Sequence, residues 1–283
     1  MLSRATGVRS RHLFALVFAL LVASRYVASV SAQDAADAQP SCVWMFFIDD
    51  LHLNFPATGY LKHLLKTVFG QLVQESDLVA VVSTGPSSIA IDTTRDHRRL
   101  AIAIDKFSGA GLKPSEIVAA PDANSSEVRY RAHVAFRAAY DAMNMVTSVR
   151  SPRQAFIYVS NGYYIDVWAG GTRMGSVNPF SLPRKEFEGS ADRPSSISLE
   201  HLRDEVAELS ARASHANLPI YAIDPRAFSG ATAIDPKLDD AGQQKYLATT
   251  RNTLRVIAEQ TGGFVIEDDL ESGLKRIAAA KGR

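Results

Sequence analysis

A run of six apolar residues, closed by two aspartates, constrains the fold of this chain more than any other feature. The run extends from Val43 to Ile48 and is rich in aromatic side chains, and Asp49 and Asp50 follow it directly. Such a run is typical of a strand buried on both faces, in the middle of a parallel sheet. Ligands bind beyond the carboxyl ends of such strands, so the aspartates are the first candidates for a functional site. The alternative is that they cap a helix or hold a loop.

Strands and helices are predicted to alternate along the rest of the chain. Short apolar runs predict further strands, and apolar residues at three- and four-residue steps predict helices. The further strands are predicted at 78–84, 88–93, 156–159, 219–224 and 264–266. The helices are predicted at 60–73, 95–107, 126–149, 199–213, 246–260 and 270–278. This alternation predicts an α/β, three-layer doubly wound (Rossmann-like) sheet, with 88–93 as an antiparallel edge strand.

The amino terminus has the pattern of a secretory signal. Arg4, Arg9 and Arg11 precede an apolar run at 13–23, and Val30-Ser31-Ala32 offers small residues for cleavage. An apolar run of this length is short for a bilayer of about 30 Å, so a permanent anchor is the weaker interpretation. The sequence therefore predicts export by the general secretory route, to the periplasm or the extracellular space.

This signal divides the chain into a signal peptide at 1–32, a polar linker at 33–41 and one domain at 42–283. The signal carries four arginines and no acid, so 27 of the 31 basic residues remain against 30 acidic ones, and the net charge changes from +1 to −3. A mildly acidic domain without a basic stripe argues against nucleic acid as a partner, and we expect no membrane insertion after cleavage. A single cysteine, Cys42, excludes an internal disulfide, so the core alone must stabilise the fold.

The order of these segments resembles that of a von Willebrand factor type A (vWA) domain, closest to the secreted bacterial vWA-related proteins. The resemblance is carried by the opening strand with its aspartates and by the segments at 77–84, 156–162, 220–225 and 262–264. It covers residues 42 to 281. It implies a mostly parallel six-stranded sheet with one antiparallel edge strand. It also implies a metal-ion-dependent adhesion site at the carboxyl ends of the strands.

In that family an Asp-x-Ser-x-Ser loop, a threonine from a second loop and an aspartate from a third hold Mg²⁺, which prefers hard oxygen ligands. This chain departs from the pattern. If Asp49 is the first aspartate, the two serine positions are Leu51 and Leu53, which have no ligand atom. The Asp-x-Ser-x-Ser loop is therefore incomplete in this alignment.

If the alignment shifts by one residue, Asp50, His52 and Asn54 occupy the three positions of the first loop. Imidazole is a poor ligand for Mg²⁺, so this alignment also predicts weakened or absent metal binding. The resemblance places Ser125 or Ser126 in the second loop and Asn161 in the third. The candidate metal ligands, if any metal binds, are Asp49, Asp50, Asn54, Ser125, Ser126 and Asn161.

These observations predict a non-catalytic, protein-binding (adhesion or scaffold) domain with a degenerate adhesion site, and either no cofactor or Mg²⁺. The partner is expected to be a protein of unknown identity. A long segment at 163–196, without a helix or strand period, follows one strand and carries aromatic residues. The candidate partner-binding residues are His52, Tyr163, Tyr164 and Trp168. The alternative is that these aromatic residues only cover the edge of the sheet.

An enzyme is the alternative class. Paired aspartates after a first strand also occur in phosphohydrolases of the haloacid-dehalogenase type, which need Asp-x-Asp for a nucleophile and a general acid. Here Leu51 stands two residues after Asp49. No zinc-binding spacing is present, and the remaining histidines of the domain are predicted to be solvated rather than ligands. These are His63, His97, His133, His201 and His215.

Overall fold

The computed structural model describes residues 41–119, 126–165, 197–229 and 234–281. The predicted signal peptide lies outside these residues, as do Ser125 and Trp168. Residues 41–283 group as one compact unit. Within the described parts of the chain, no helix combines the length and the apolar character needed to cross a bilayer.

Six strands and seven α-helices alternate in the described residues, with two short 3₁₀ helices at Phe55–Ala57 and Pro225–Phe228. The strands are β1 (Val43–Ile48), β2 (Leu78–Ser83), β3 (Ala90–Thr94), β4 (Gln154–Val159), β5 (Ile220–Ile223) and β6 (Phe264–Ile266). The helices are α1 (Thr58–Leu72), α2 (His97–Lys106), α3 (Pro114–Val118), α4 (Ser126–Thr147), α5 (Leu199–His215), α6 (Asp240–Glu259) and α7 (Leu270–Lys281).

The strands form one sheet in the order β3-β2-β1-β4-β5-β6. Strand β1 pairs in parallel with β2 and β4, and β5 and β6 continue the parallel sheet on one side. Strand β3 pairs antiparallel with β2 at the opposite edge. The mixed α/β class, the six mostly parallel strands and the single antiparallel edge strand are therefore confirmed, and β1 lies inside the sheet.

Both faces of β1 are covered, which explains its unbroken apolar sequence. Val43, Met45 and Phe47 pack into a core with side chains of α4, α5 and α6. The alternate residues of β1 pack into a second core with side chains of α1, α2 and α7. All six residues of β1 are at most 1% exposed. Burying a large apolar side chain contributes about 1.5–3 kcal/mol, so this strand anchors both cores.

Two helices differ from the sequence prediction. Helix α6 begins at Asp240 rather than at residue 246, and the side chain of Asp239 caps it by accepting a hydrogen bond from the Gly242 amide. Because the first turn of α6 is polar, no apolar periodicity marks the start of this helix in the sequence. Helix α3 was not predicted, and Pro114 occupies its first turn, where proline is tolerated because the missing amide hydrogen would have no partner within the helix.

Both edges of the sheet are short or irregular. The pairing of β3 with β2 shifts register between Val79 and Val81, and β3 contains the exposed Asp92. Strand β6 at the other edge has three residues, and the guanidinium of Arg276 lies 3.8 Å from the centre of the Phe264 ring.

Candidate functional site

Polar residues form a row across the carboxyl ends of the central strands. The parallel register pairs the last residue of β1 with the last residues of β2 and β4, and the last residue of β4 with that of β5. The residue that follows each strand therefore falls beside its neighbours in the sheet. In spatial order these residues are Thr84, Asp49, Ser160 and Asp224.

Asp49 lies at the centre of this row and is fully buried. Its Oδ1 lies 2.9 Å from His52 Nδ1 and 3.1 Å from the Thr84 hydroxyl, whose hydrogen is donated over the shorter distance to Asp50. Its Oδ2 accepts hydrogen bonds from the hydroxyls of Ser160 at 2.8 Å and Tyr163 at 2.7 Å. Both oxygens are thus occupied by protein groups, which is what a buried carboxylate requires.

These contacts alter the acidity of the buried groups. Burial by itself raises the pKa of Asp49, but the charge and hydrogen bond of His52 and the hydroxyls of Tyr163 and Ser160 outweigh burial and hold this pKa below its ordinary value. Burial, together with the nearby Asp49 carboxylate, raises the pKa of both Tyr158 and Tyr163 well above the ordinary value. Tyr163 donates to Asp49, so it accepts a hydrogen bond from the Tyr158 hydroxyl.

Asp50 is also fully buried and is held by two residues that follow β2. The Thr84 hydroxyl lies 2.8 Å from Asp50 Oδ1, and the Ser87 amide donates to Asp50 Oδ2 at 2.8 Å. The sequence analysis missed Thr84 and Ser160 as partners of the aspartates. Thr84 ends the strand predicted at 78–84 and Ser160 directly follows the strand predicted at 156–159, and these positions were the available signal.

The ligand atoms around Asp49 and Asp50 do not fit a Mg²⁺ site. Each oxygen of Asp49 and Asp50 has a protein partner, so a metal would have to displace at least one hydrogen bond. Leu53 is buried in the core and offers no ligand atom. Among the described residues, no hydrogen bond joins Asn54 or Asn161 to either aspartate.

Asn54 and Asn161 instead line a pocket of about 380 Å³ at the carboxyl ends of β1, β4 and β5, which we call the strand-tip pocket. Its other lining residues are Pro56, Ala57, Tyr60, Leu61, Pro225, Arg226, Ser229 and Ile234. Phe55 lies between two lining residues in the sequence and is 67% exposed. The structure thus brings together the predicted residues from the first and third loops, and adds an exposed aromatic residue that sequence analysis did not single out.

The aromatic residues predicted to bind a partner occupy a different place. Tyr163 and Tyr164 are 1% and 8% exposed, so neither offers contact area to a partner in this conformation. With His52 they line a small cavity of about 20 Å³, and the His52 ring packs edge-on against Tyr163 at 4.6 Å. Ser126 begins α4 and is exposed, without a described hydrogen bond to the aspartates. A partner-binding role for these residues stays a prediction.

Asp224, at the other end of the polar row, is held by two arginines. Arg226 donates to both of its oxygens, at 2.8 and 2.9 Å, and Arg251 donates to Oδ2 at 2.9 Å. Burial raises the pKa of Asp224, but Arg226 and then Arg251 outweigh burial and hold the pKa below its ordinary value. Asp224 also caps the 3₁₀ helix after β5. It therefore holds the loop that follows β5.

A second polar cluster lies between α4 and α5, away from the strand ends. His133 Nδ1 of α4 lies 2.6 Å from Glu205 Oε1, and His201 Nε2 of α5 lies 3.4 Å from the same oxygen. The nearest ligand atoms of the three residues all lie within 4.8 Å of one another. His133 and His201 were predicted to be solvated and not to be ligands. That prediction missed the cluster, because one histidine comes from a helix distant in the sequence.

Neither a protein-family model nor a curated protein matches this chain. The assignment to the vWA family therefore stays a prediction from the resemblance.

Proposed function

We propose that this chain is a secreted, vWA-like protein-binding domain, an adhesion or scaffold module, in which the metal-ion-dependent adhesion site is degenerate and no reaction is catalysed. The observation that carries the proposal is the state of the two aspartates after β1. Both are buried, and all four of their oxygens are engaged by protein groups. They support the loops around the strand ends, and Mg²⁺ or a substrate would have to displace at least one of these hydrogen bonds.

The same observation argues against the alternative, a phosphohydrolase of the haloacid-dehalogenase type. A nucleophilic carboxylate must present an oxygen to phosphorus, at about 3–3.5 Å in a near-attack arrangement. Asp49 is 0% exposed and each of its oxygens contacts two protein groups. Leu51 occupies the position where a general acid would be required. Hydrolysis of a generic phosphoester that is lost in Asp49→Asn would overturn our choice of class.

The surface that we propose for a protein partner is the strand-tip pocket with Phe55 beside it. The pocket combines the partly buried amide of Asn54 with the partly buried ring of Tyr60, and Phe55 is exposed on the adjoining 3₁₀ turn. Protein interfaces place aromatic anchors among polar groups in this way, and a few such anchors carry most of the binding energy.

Metal dependence is tested with the mature protein and with Asp50→Asn. The metal is Mg²⁺ or Ca²⁺ at 10 mM, which is roughly saturating for weak sites built from oxygen ligands. We expect the thermal unfolding midpoint of both proteins to be the same with the metal as with choline chloride of equal ionic strength. A metal at about 100 times its dissociation constant would stabilise the native protein by about 2.7 kcal/mol. A rise of that kind, present in the native protein and absent from Asp50→Asn, would show a working adhesion site.

Partner binding is tested by capture from the native envelope fraction, followed by titration of the captured protein. Phe55→Ala should weaken binding by about 2 kcal/mol, which is roughly 30-fold, if Phe55 is an interface anchor. Gln71→Ala, an exposed substitution on α1, is the matched control and should bind as the native protein does. Equal binding by both variants would exclude Phe55 and the adjoining pocket as the contact surface.

A further inference from the structure

Three residues of α4 and α5 form a cluster that the proposed binding function does not use. His201 and Glu205 are one turn apart on α5, so their side chains leave the same face of the helix. His133 comes from α4, which packs along α5. None of the three lines the strand-tip pocket. The cluster is therefore held by the packing of two long helices, the kind of rigid support that keeps ligands in place.

The donor atoms suit a transition metal. The cluster offers two imidazole nitrogens and one carboxylate, a combination that occurs in three-residue zinc sites. Zinc at about 2.0–2.2 Å from each ligand in a tetrahedral arrangement places the ligand atoms roughly 3.4 Å apart. The His133–Glu205 and His201–Glu205 separations are 2.6 and 3.4 Å, and all three ligand atoms lie within 4.8 Å of one another, so side-chain rotations would have to bring them to this spacing. Mg²⁺ and Ca²⁺ select against imidazole, which makes these ions poor candidates.

A second observation points independently to a missing cation. The Glu205 side chain is only 10% exposed, and its buried Oε2 has no hydrogen-bond partner among the residues that the structure describes. Contacts with the two histidines occupy Oε1 alone. An unpaired buried oxygen of a charged carboxylate is destabilising, and native structures rarely leave one without an explanation. A metal ion that accepts electron pairs from Glu205 and both histidines would supply that explanation.

The exposure of the cluster allows an ion to enter. The side chains of His133 and His201 are 21% and 44% exposed, whereas that of Glu205 is 10% exposed. The site is therefore closed on the carboxylate side and open on the histidine side. We propose that His133, His201 and Glu205 bind one Zn²⁺ ion between α4 and α5, with the fourth position taken by water.

The test is calorimetric titration of ZnCl₂ into the chelator-treated mature protein. We expect one ion per chain, and a loss of affinity of more than about tenfold in each of His133→Gln, His201→Gln and Glu205→Gln, since even groups that only orient a metal ligand contribute that much. His215→Gln is the matched control, an exposed histidine in the last turn of α5. The control should retain the native affinity.

Two results would overturn the proposal. The first is that the native protein binds no zinc, and the second is that all three cluster variants bind zinc with the native affinity. Because a variant could fail through misfolding, each is checked by circular dichroism in chelator before titration. X-ray absorption at the zinc edge of the loaded native protein provides a measurement that needs no variant. Two imidazoles and a carboxylate oxygen around the ion support the site, and fewer than two imidazoles refute it.

Discussion

The hydroxyl of Tyr163 is the group whose removal tests most directly how the aspartate after β1 is held. Tyr163→Phe keeps the ring, which packs against Phe136 and His52, and deletes only the oxygen. That oxygen donates to Asp49 Oδ2 at 2.7 Å and accepts the hydrogen bond of Tyr158. The substitution therefore removes one donor from a buried charge and one acceptor from a buried hydroxyl.

Both losses contribute to the expected destabilisation. A hydrogen bond to a charged group contributes about 1.5–3 kcal/mol, and a buried polar group left without a partner costs about 1–3 kcal/mol. We expect Tyr163→Phe to lower the free energy of unfolding by about 3–5 kcal/mol at pH 7. Tyr158→Phe is the matched control. It leaves Tyr163 donating to Asp49 and removes one neutral hydrogen bond, so it should cost about 1 kcal/mol.

The dependence on pH separates this explanation from a loss of packing. The folded-state pKa of Asp49 is lowered, so its ionised form contributes stability above the unfolded pKa near 4, and that contribution is lost as pH falls through the folded pKa. Tyr163→Phe removes one cause of the lowered pKa. The stability difference between the native protein and the variant should therefore shrink below about pH 4.

Urea unfolding followed by circular dichroism at pH 7 and at pH 3.5 measures these differences. The double variant Tyr158→Phe/Tyr163→Phe should be no less stable than Tyr163→Phe alone, because it deletes the hydroxyl that the single change leaves without a partner. Equal costs for the two single variants at pH 7 would refute the proposed hydrogen-bond chain to Asp49.

Two further substitutions test the loops that flank the strand ends. Gly162 has a φ of +75°, and a Cβ at this position would lie 2.1 Å from the Thr250 carbonyl oxygen. Gly162→Ala should therefore lower the free energy of unfolding by clearly more than the roughly 1–2 kcal/mol that a positive φ alone costs. Gly262→Ala, at a φ of +79° in open space, is the control that gives the cost of the positive φ alone, and urea unfolding measures both variants. Arg226→Leu leaves the Asp224 carboxylate buried with one arginine fewer and should cost about 3–5 kcal/mol in the same assay, and a cost below about 1 kcal/mol would contradict the ion pair.

The order of elements could be predicted from the sequence because each depends on local signals. The unbroken apolar run at 43–48 predicted a central strand, and both of its faces are buried. Helix α6 was predicted six residues short, since its first turn is polar and depends on the Asp239 cap rather than on apolar periodicity. Helix α3 has five residues, fewer than two turns, so no period can be recognised in it.

The candidate site was less predictable, because its contacts join residues that are distant in the sequence. Thr84 and Ser160 are 35 and 111 residues from Asp49, and nothing in their own sequence context distinguishes them from other polar residues after strands. Tyr163 was taken for a surface anchor, although it is buried and bonds Asp49. The four-residue spacing of His201 and Glu205 was visible, but the third member of the cluster, His133, is 72 residues before Glu205.

The two edges of the sheet also influence how this protein behaves at high concentration. A parallel sheet whose outermost strands were long and regular would offer a template to which strands of other copies could add, the first step towards fibrils. Here the edge strand β3 has a register shift in its pairing with β2 and carries the charged Asp92, and the edge strand β6 has only three residues. Association between copies through added strands is therefore disfavoured.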